Sequence, residues 1–153
     1  MTLPDTSTLW LLLALLLCFW LLTRVRQQDA ASARRTPLTL DELGRCIFGV
    51  GRSGDLAGYR ELYLAGGEAQ AVFGERAGEY LDRRTRPVLT SALERLGSAL
   101  RPGCHFHSLL LGEDGQAYLE VREPGGAVVP VPVGSAVQVG AAWRLVDPPA
   151  AGA

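Results

Sequence analysis

The chain contains two histidines, and both follow a cysteine in the run Cys104-His105-Phe106-His107. On a β-strand, alternate side chains point to the same face, so His105 and His107 would share one face. A histidine pair at this spacing can bind a metal ion. Zn²⁺ takes three or four protein ligands, however, and the sequence places no third one beside the pair. We therefore predict no metal site. The thiol beside the imidazole leaves nucleophilic catalysis open as an alternative.

A glycine motif of the form GxGxxG is present at residues 49–54 (GVGRSG). In dinucleotide-binding proteins this motif follows a β-strand and lets the backbone approach a pyrophosphate at a helix N-terminus. Here the preceding residues repeat apolar side chains at helical spacing, and no strand–helix–strand unit follows. With 18 glycines in the chain, a chance match is easy. We interpret the motif as a turn between helices and predict no cofactor.

Length, composition and charge exclude several classes of protein. The chain has 153 residues, which is enough for one domain. Apolar residues make up 48% and charged residues 20%, which excludes intrinsic disorder. Fifteen basic residues, all arginine, stand against sixteen acidic ones, so we predict no nucleic-acid partner. The absence of lysine and asparagine indicates a GC-rich, bacterial genome.

The N-terminal region has a strongly apolar segment. Residues 9–22 (LWLLLALLLCFWLL) are fourteen consecutive apolar residues, nine of them leucine. Together with their flanks, residues 7–25 would form a helix of about 28 Å, close to the thickness of a membrane hydrocarbon core. A helix that is apolar on all sides needs a larger protein to bury it. We therefore predict a transmembrane helix over residues 9–25, after a tail of residues 1–8, with the lipid bilayer as partner.

The charges on either side of this segment predict its orientation. No basic residue precedes it, and four arginines follow it closely: Arg24, Arg26, Arg34 and Arg35. A cleaved secretory signal has positive charge before the apolar segment, so we predict an uncleaved anchor. Because positive charge resists translocation, the following domain is predicted to be cytoplasmic, at the inner membrane. If the domain were instead external, a disulfide bridge between Cys46 and Cys104 would be expected. Ala14 and Cys18 form a small-xxx-small pair through which two spans could associate.

The remainder of the chain divides into a linker, one domain and a tail. Residues 26–37 are mostly small and polar, which is typical of a linker. Residues 148–153 (PPAAGA) have nothing to pack and are predicted to be a disordered tail. Residues 38–147 between them are predicted to be one small domain with a single core.

The first half of this domain has apolar residues at helical spacing. A capping box, Thr39 with Glu42, begins the first predicted helix, and glycines at 49, 51 and 54 end it. Asp55 begins the second, which Gly66 and Gly67 end. A third helix is predicted over residues 68–81, and a fourth runs from Pro87 to residue 100.

The second half alternates apolar and polar residues, which is typical of strands. Strands are predicted over residues 104–111, 116–122, 127–133 and 137–146. Pro130 and Pro132 restrict the third strand to a sheet edge, and Gly140 is predicted to be a bulge in the fourth. Three to four helices followed by a four-stranded antiparallel meander make an α+β domain.

The order of these elements resembles the nuclear transport factor two-like superfamily, also called ketosteroid-isomerase-like. The resemblance is carried by Gly54-Asp55, the short aromatic helix at 56–63 (LAGYRELY) and the final strand with WRLV at 143–146. It implies a cone in which a curved antiparallel sheet wraps around the helices, and several bacterial members have a membrane or lipid anchor. The superfamily's isomerases set a carboxylate base opposite a hydrogen-bond donor, commonly tyrosine. No carboxylate of this chain matches that base, so the resemblance implies no catalytic residue.

Tyr59, Tyr63 and Tyr80 are candidate hydrogen-bond donors in such a cone. A tyrosine on the apolar face of a helix more often packs in the core, with its hydroxyl at the edge. His105 and His107 are candidates for the lining of the same pocket. The complete set of predicted ligand-binding residues is Tyr59, Tyr63, Tyr80, His105, His107 and Trp143.

Two functions remain open from the sequence. The first is a non-catalytic interaction or ligand-binding module held at the membrane by one span, with a protein partner or a second copy of itself. The second is an isomerase- or dehydratase-like enzyme that acts on a small apolar molecule inside the cone. An enclosed pocket with two or more inward polar groups would favour the enzyme. A cone filled by Phe73, Leu93, Phe106 and Trp143 would favour the module.

Overall fold

The computed structural model describes residues 36–149. The predicted tail, transmembrane helix and most of the linker, together with residues 150–153, lie outside the described residues. The Ala14–Cys18 pair lies outside them as well. Within residues 36–149, none of the helices is long and apolar enough to span a bilayer.

The described residues form an α+β domain with the helices first and the strands second, as predicted. The helices are α1 (Leu40–Ser53), α2 (Leu56–Glu61), α3 (Gly66–Phe73), α4 (Ala77–Arg83) and α5 (Arg86–Ala99), and a 3₁₀ turn (Gly74–Arg76) joins α3 to α4. The strands are β1 (His105–Leu111), β2 (Gln116–Arg122), β3 (Val128–Val139) and β4 (Ala142–Leu145). The sheet is antiparallel with strand order β1-β2-β3-β4.

The start of α1 confirms the predicted capping box. The Thr39 hydroxyl accepts a hydrogen bond from the Glu42 N–H at 3.1 Å, and the Glu42 carboxylate accepts one from the Thr39 N–H at 3.2 Å. Of the three glycines predicted to end this helix, Gly54 is its C-cap, which confirms that part of the prediction. Gly49 and Gly51 do not end it, because the helix continues to Ser53. The GxGxxG motif is therefore mostly helix rather than a turn between helices.

At two positions of this motif, the structure explains why the residue is glycine, and the two explanations differ. Gly54 ends α1 with φ of 68°, a left-handed conformation that favours glycine. Gly51 lies inside α1, where a Cβ atom would come within 2.8 Å of the side chains of Leu96 and Leu100. Glycine at this position therefore lets α1 and α5 pack closely.

The middle helices differ from the prediction because the chain after α2 pairs with the sheet. α2 ends at Glu61, and Leu64 donates a backbone hydrogen bond to the carbonyl of Leu145 at 3.1 Å. Gly66 then begins α3 instead of ending the previous helix. The predicted helix over residues 68–81 is divided at Gly74, whose φ of 57° and ψ of −124° do not fit an α-helix. This division accounts for the fifth helix in the described residues.

A β-bulge changes the side-chain pattern of β1. The register with β2 shifts between Phe106 and Ser108, so His107 is the extra residue. Phe106 lies opposite Val121 and Leu109 opposite Leu119, and these four side chains face the helices. The bulge therefore places Phe106 and Leu109 on the same face of the sheet, whereas a regular strand would place them on opposite faces.

The predicted third and fourth strands are divided differently in the structure. β3 is one continuous strand that passes through Gly134 at φ of 101°, and Gly140 lies in the turn before a short β4 rather than in a bulge. Residues 128–132 pair with β2, and residues 136–139 pair with β4. Between them, the Ser135 N–H donates a hydrogen bond to the carbonyl of Asp147, and the Ser135 carbonyl accepts one from the Val146 N–H. The prediction that the third strand lies at a sheet edge is wrong for β3 as a whole, which lies between β2 and β4. It holds for the first part of the strand, where Pro130 and Pro132 pair with β2, since proline has no N–H for a second neighbour.

The buried apolar side chains of the described residues form two hydrophobic cores. Leu93 is buried in the main core, which joins α1, α2 and α5 to the sheet, and Phe106 and Trp143 pack against this core. A second, smaller core lies under α3 and α4, and Phe73 packs against it. The four side chains that the sequence analysis proposed as filling of the cone are thus all in contact with a core.

Candidate functional site

Tyr59 and Tyr63 form a buried pair. Tyr59 lies on α2, and Tyr63 follows four residues later, just beyond the end of the helix. Both side chains are almost completely buried, and the rings meet edge to face with centroids 5.3 Å apart. The Tyr63 hydroxyl donates a hydrogen bond to the Tyr59 hydroxyl at 2.8 Å. Each hydroxyl therefore has a partner inside the core.

Tyr80 belongs to the second core. Its hydroxyl donates a hydrogen bond to the backbone carbonyl of Val146 at 2.8 Å, which ties α4 to the chain after β4. Its ring lies 4.6 Å from the ring of Phe73, centroid to centroid. The three predicted tyrosines are thus divided between two cores.

Burial keeps all three phenols protonated. It raises the pKa of Tyr59 and of Tyr63 above the ordinary value of a phenol. It also raises the pKa of Tyr80, to about 12, although the nearby positive charge of Arg84 acts in the opposite direction. These hydroxyls can donate hydrogen bonds, but they cannot act as bases near neutral pH.

Arg84 connects the two groups of tyrosines. Its guanidinium carbon lies 4.4 Å from the ring centroid of Tyr80 and 5.7 Å from that of Tyr63. One terminal nitrogen donates a hydrogen bond to the carbonyl of Leu64 at 2.8 Å. The Nε atom is buried and has no acceptor among residues 36–149. A positive charge is therefore held against two aromatic rings, with one donor unsatisfied.

Arg84 lines a groove between α2 and the start of α5. The groove has a volume of about 430 Å³ and is partly open to solvent. We call it the arginine groove, and its lining residues are Leu56, Ala57, Arg60, Arg84, Arg86 and Leu89. A neighbouring cavity of about 540 Å³ shares Arg60, Arg84 and Leu89 with it and extends towards Tyr63 and Glu61.

The charge of the arginine groove is entirely positive. Arg60, Arg84 and Arg86 line it, and no carboxylate does. Within residues 36–149, none of these three side chains forms an ion pair. The start of α5 adds to the positive potential, because it has no side-chain cap and no acidic residue in its first turn. The arrangement repels cations and attracts anions.

The apolar lining of the groove gives it a second property. Leu56 and Ala57 come from α2, and Leu89 comes from the first turns of α5. Binding sites for small molecules are commonly 300–1,000 Å³, with mostly apolar walls and a few convergent polar groups. The arginine groove has this character.

The remaining predicted site residues lie elsewhere. His105 and His107 are exposed on β1, and His107 Nδ1 lies 3.3 Å from a guanidinium nitrogen of Arg122. Trp143 is half-buried on β4, and its backbone N–H donates to the carbonyl of Pro37 at 2.8 Å. None of the three lines the arginine groove or the neighbouring cavity. Within the described part of the chain, no group of three or more His, Cys, Asp or Glu side chains could hold a metal ion.

Sequence reasoning missed the three arginines. Arg84 follows Tyr80 by four residues, a spacing that places two side chains on the same helical face. That spacing was a usable signal for the contact between them. The meeting of Arg60 with Arg84 and Arg86 depends on how α2 packs against α5, which no local pattern indicates.

Comparison with known proteins adds no relative: no protein-family model, no curated protein and no solved structure matches this chain.

Proposed function

We propose that the chain is a single-pass membrane protein whose domain is a non-catalytic module that binds a ligand or a partner at the membrane surface. The arginine groove is the observation that carries the proposal. It combines a concave surface, three positive charges and apolar walls in a domain with two hydrophobic cores.

The chemistry of the groove favours binding over catalysis. Its charged side chains are all arginines, which have no acceptor for a proton and cannot serve as a general base. General acid–base catalysis needs a group that titrates near the working pH. The enzyme alternative needs an apolar cavity inside the cone, and the packing of Leu93, Phe106 and Trp143 argues against that space.

The membrane anchor in this proposal rests on the sequence. The apolar segment at residues 9–22 and the arginines that follow it support a span with the domain on the cytoplasmic side of the inner membrane. Membership of the nuclear transport factor two-like superfamily is a further part of the proposal. The order of helices and antiparallel strands supports it.

Membrane insertion is tested by expressing the full chain and washing the membranes with urea. We expect the protein to stay in the membrane fraction. Replacing Leu13 and Leu16 with arginine should release it, since each arginine at the centre of a span costs about 3 kcal/mol. Replacing both leucines with phenylalanine is the matched control and should leave the protein inserted. Release of the unaltered chain by urea would contradict the anchor.

Orientation is tested with an exposed thiol. Cys46 and Cys104 are buried, so they react slowly with a thiol reagent in the folded protein. Gln70 is exposed on α3, and a Gln70→Cys variant supplies an accessible reporter. We expect an impermeant maleimide to label it only after the inner membrane is permeabilised. Labelling in intact cells would place the domain outside and overturn the proposed orientation.

A further inference from the structure

The arginine groove has features that together specify the chemistry of its ligand. It brings three guanidinium groups from α2, from the segment before α5 and from the first turn of α5 to one cavity of about 430 Å³. Guanidinium groups bind carboxylate and phosphate oxygens through paired N–H donors, and these charge-assisted hydrogen bonds are stronger than hydrogen bonds between neutral groups. The cavity lining contains no competing carboxylate.

We infer that the arginine groove binds a small molecule that carries a phosphate or carboxylate group on an apolar body. The anionic group lies among Arg60, Arg84 and Arg86, and the apolar body packs against Leu56 and Leu89. This inference rests on the proposed binding function and names its ligand class. The same anionic group can belong to a soluble metabolite or to a lipid headgroup.

The setting of Arg84 supports an anion more strongly than a neutral ligand. Its guanidinium is held in place by the Tyr80 ring and by the carbonyl of Leu64. Its charge has no acidic partner in the described residues, and its Nε atom has no acceptor there. A positive charge that is already oriented binds an anion with little further loss of side-chain freedom.

The arginines at the start of α5 point to the same ligand class. Arg84 and Arg86 flank the positive end of the helix dipole, where acidic residues are normally favoured. α1, α2 and α3 follow the usual pattern, with an acidic residue at the N-cap or in the first turn. An anion in the arginine groove would offset the repulsion at this helix end.

Phenyl phosphate is a suitable probe, because it carries a phosphate on a compact apolar ring. The full-length protein is reconstituted in phosphatidylcholine nanodiscs and titrated by calorimetry, with empty nanodiscs as the blank. We expect phenyl phosphate to bind at least about tenfold more tightly than neutral benzyl alcohol, because charge-assisted hydrogen bonds form only with the phosphate. Equal affinity for the two compounds, or binding of neither, would overturn the inference.

Variants locate the site. Arg60→Gln with Arg86→Gln removes two exposed charges from the groove and leaves Arg84 in its packed position. We expect this pair to weaken phenyl phosphate binding about tenfold or more. Arg76→Gln with Arg83→Gln removes the same charge from exposed positions outside the groove and should change the affinity less than about twofold. An equal loss of phenyl phosphate affinity in the two double variants would contradict the assignment of the binding site to the arginine groove.

Two further readouts separate this inference from the proposed function. In nanodiscs that contain phosphatidic acid, loss of phenyl phosphate binding identifies a lipid headgroup as the occupant, and unchanged binding identifies a soluble ligand. Both results support the ligand class.

Release of phenol from phenyl phosphate would contradict the non-catalytic proposal without affecting the binding site. A chain that urea removes from membranes can be titrated in buffer, so failure of the anchor leaves this test intact.

Discussion

The guanidinium carbon of Arg84 lies 4.4 Å from the centroid of the Tyr80 ring, and the Tyr80 hydroxyl in turn donates a hydrogen bond to the carbonyl of Val146. These contacts join the segment before α5 to α4 and to the chain that follows β4. Arg84 is therefore both part of the second core's surface and part of the arginine groove.

Arg84→Met should destabilise the domain, because the variant loses the hydrogen bond to Leu64 and the contact of a cation with two tyrosine rings. We expect a loss of about 1–3 kcal/mol in the free energy of unfolding. The measurement is a urea titration of the detergent-solubilised full chain, followed by pulse labelling of the buried thiols of Cys46 and Cys104.

Arg83→Met is the matched control for this prediction. Arg83 is adjacent but mostly exposed, and its ion pair with Glu79 lies at the surface. Exposed ion pairs contribute little, so the control should lose less than about 1 kcal/mol. Equal losses at the two positions would contradict the role given to Arg84.

The hydrogen bond between Tyr59 and Tyr63 should appear as coupling between the two residues. Tyr63→Phe leaves the buried Tyr59 hydroxyl without this partner, and Tyr59→Phe does the reverse. We expect each variant to lose about 1–2 kcal/mol and the double variant to lose less than the sum. The thiol-pulse measurement applied to all three variants gives the coupling energy. Additive losses would show that the two hydroxyls do not stabilise one another.

The stability of the domain should fall at high pH because of its buried tyrosines. An unfolded phenol ionises near pH 10, whereas burial raises the pKa of Tyr80 to about 12. The folded state therefore retains a proton that the unfolded state has already released. This contribution is complete below about pH 10 and is lost as the pH rises towards 12.

Urea titrations at a series of pH values, followed by circular dichroism, test this dependence. Tyr80→Phe removes one ionisable group and should make the fall between pH 10 and 12 shallower. Tyr118→Phe changes a partly exposed tyrosine on β2 and is the comparison variant. Identical slopes for Tyr80→Phe and the unaltered chain would contradict the buried state of Tyr80.

Gly51→Ala should separate α1 from α5. The added Cβ atom would lie within 2.8 Å of the side chains of Leu96 and Leu100, so we expect a loss of about 1–3 kcal/mol. Gly78→Ala is the matched control, because a Cβ atom at that helical position meets nothing within 4 Å. It should stabilise the domain by up to about 1 kcal/mol through helix propensity. Comparable effects at the two glycines would contradict the close packing of α1 and α5.

Local patterns predicted the elements whose cause is local. Thr39 with Glu42 indicated the start of α1 because the capping box needs only four consecutive residues. The alternation at residues 116–122 predicted β2 with its observed bounds. Pro130 and Pro132 indicated an edge because proline cannot donate a hydrogen bond to a second strand.

The structure differs from the sequence predictions where distant parts of the chain meet. The predicted helix after Asp55 is cut short because Leu62 and Leu64 exchange backbone hydrogen bonds with Leu145, more than 80 positions later. The bulge at His107 allows Phe106 and Leu109 to face the helices together, which strict alternation does not allow. Neither feature has a signature in its neighbouring residues.

The candidate site could also be predicted only where its features depend on neighbouring residues. The burial of Tyr59 and Tyr80 agrees with their positions on apolar helix faces, where tyrosines usually pack, whereas Tyr63 is buried just beyond the end of α2. The arginine groove is formed from residues 24 to 26 positions apart, Arg60 with Arg84 and Arg86, which converge only in the folded domain.

Hydrogen–deuterium exchange of the full-length protein, with and without saturating phenyl phosphate, tests most directly whether the arginine groove is the binding site. The predicted result is slower exchange in peptides that cover residues 56–61 and 86–90, with no change in β1 and β2. Unchanged exchange in both of those segments, or protection confined to the sheet, would contradict the assignment of the groove.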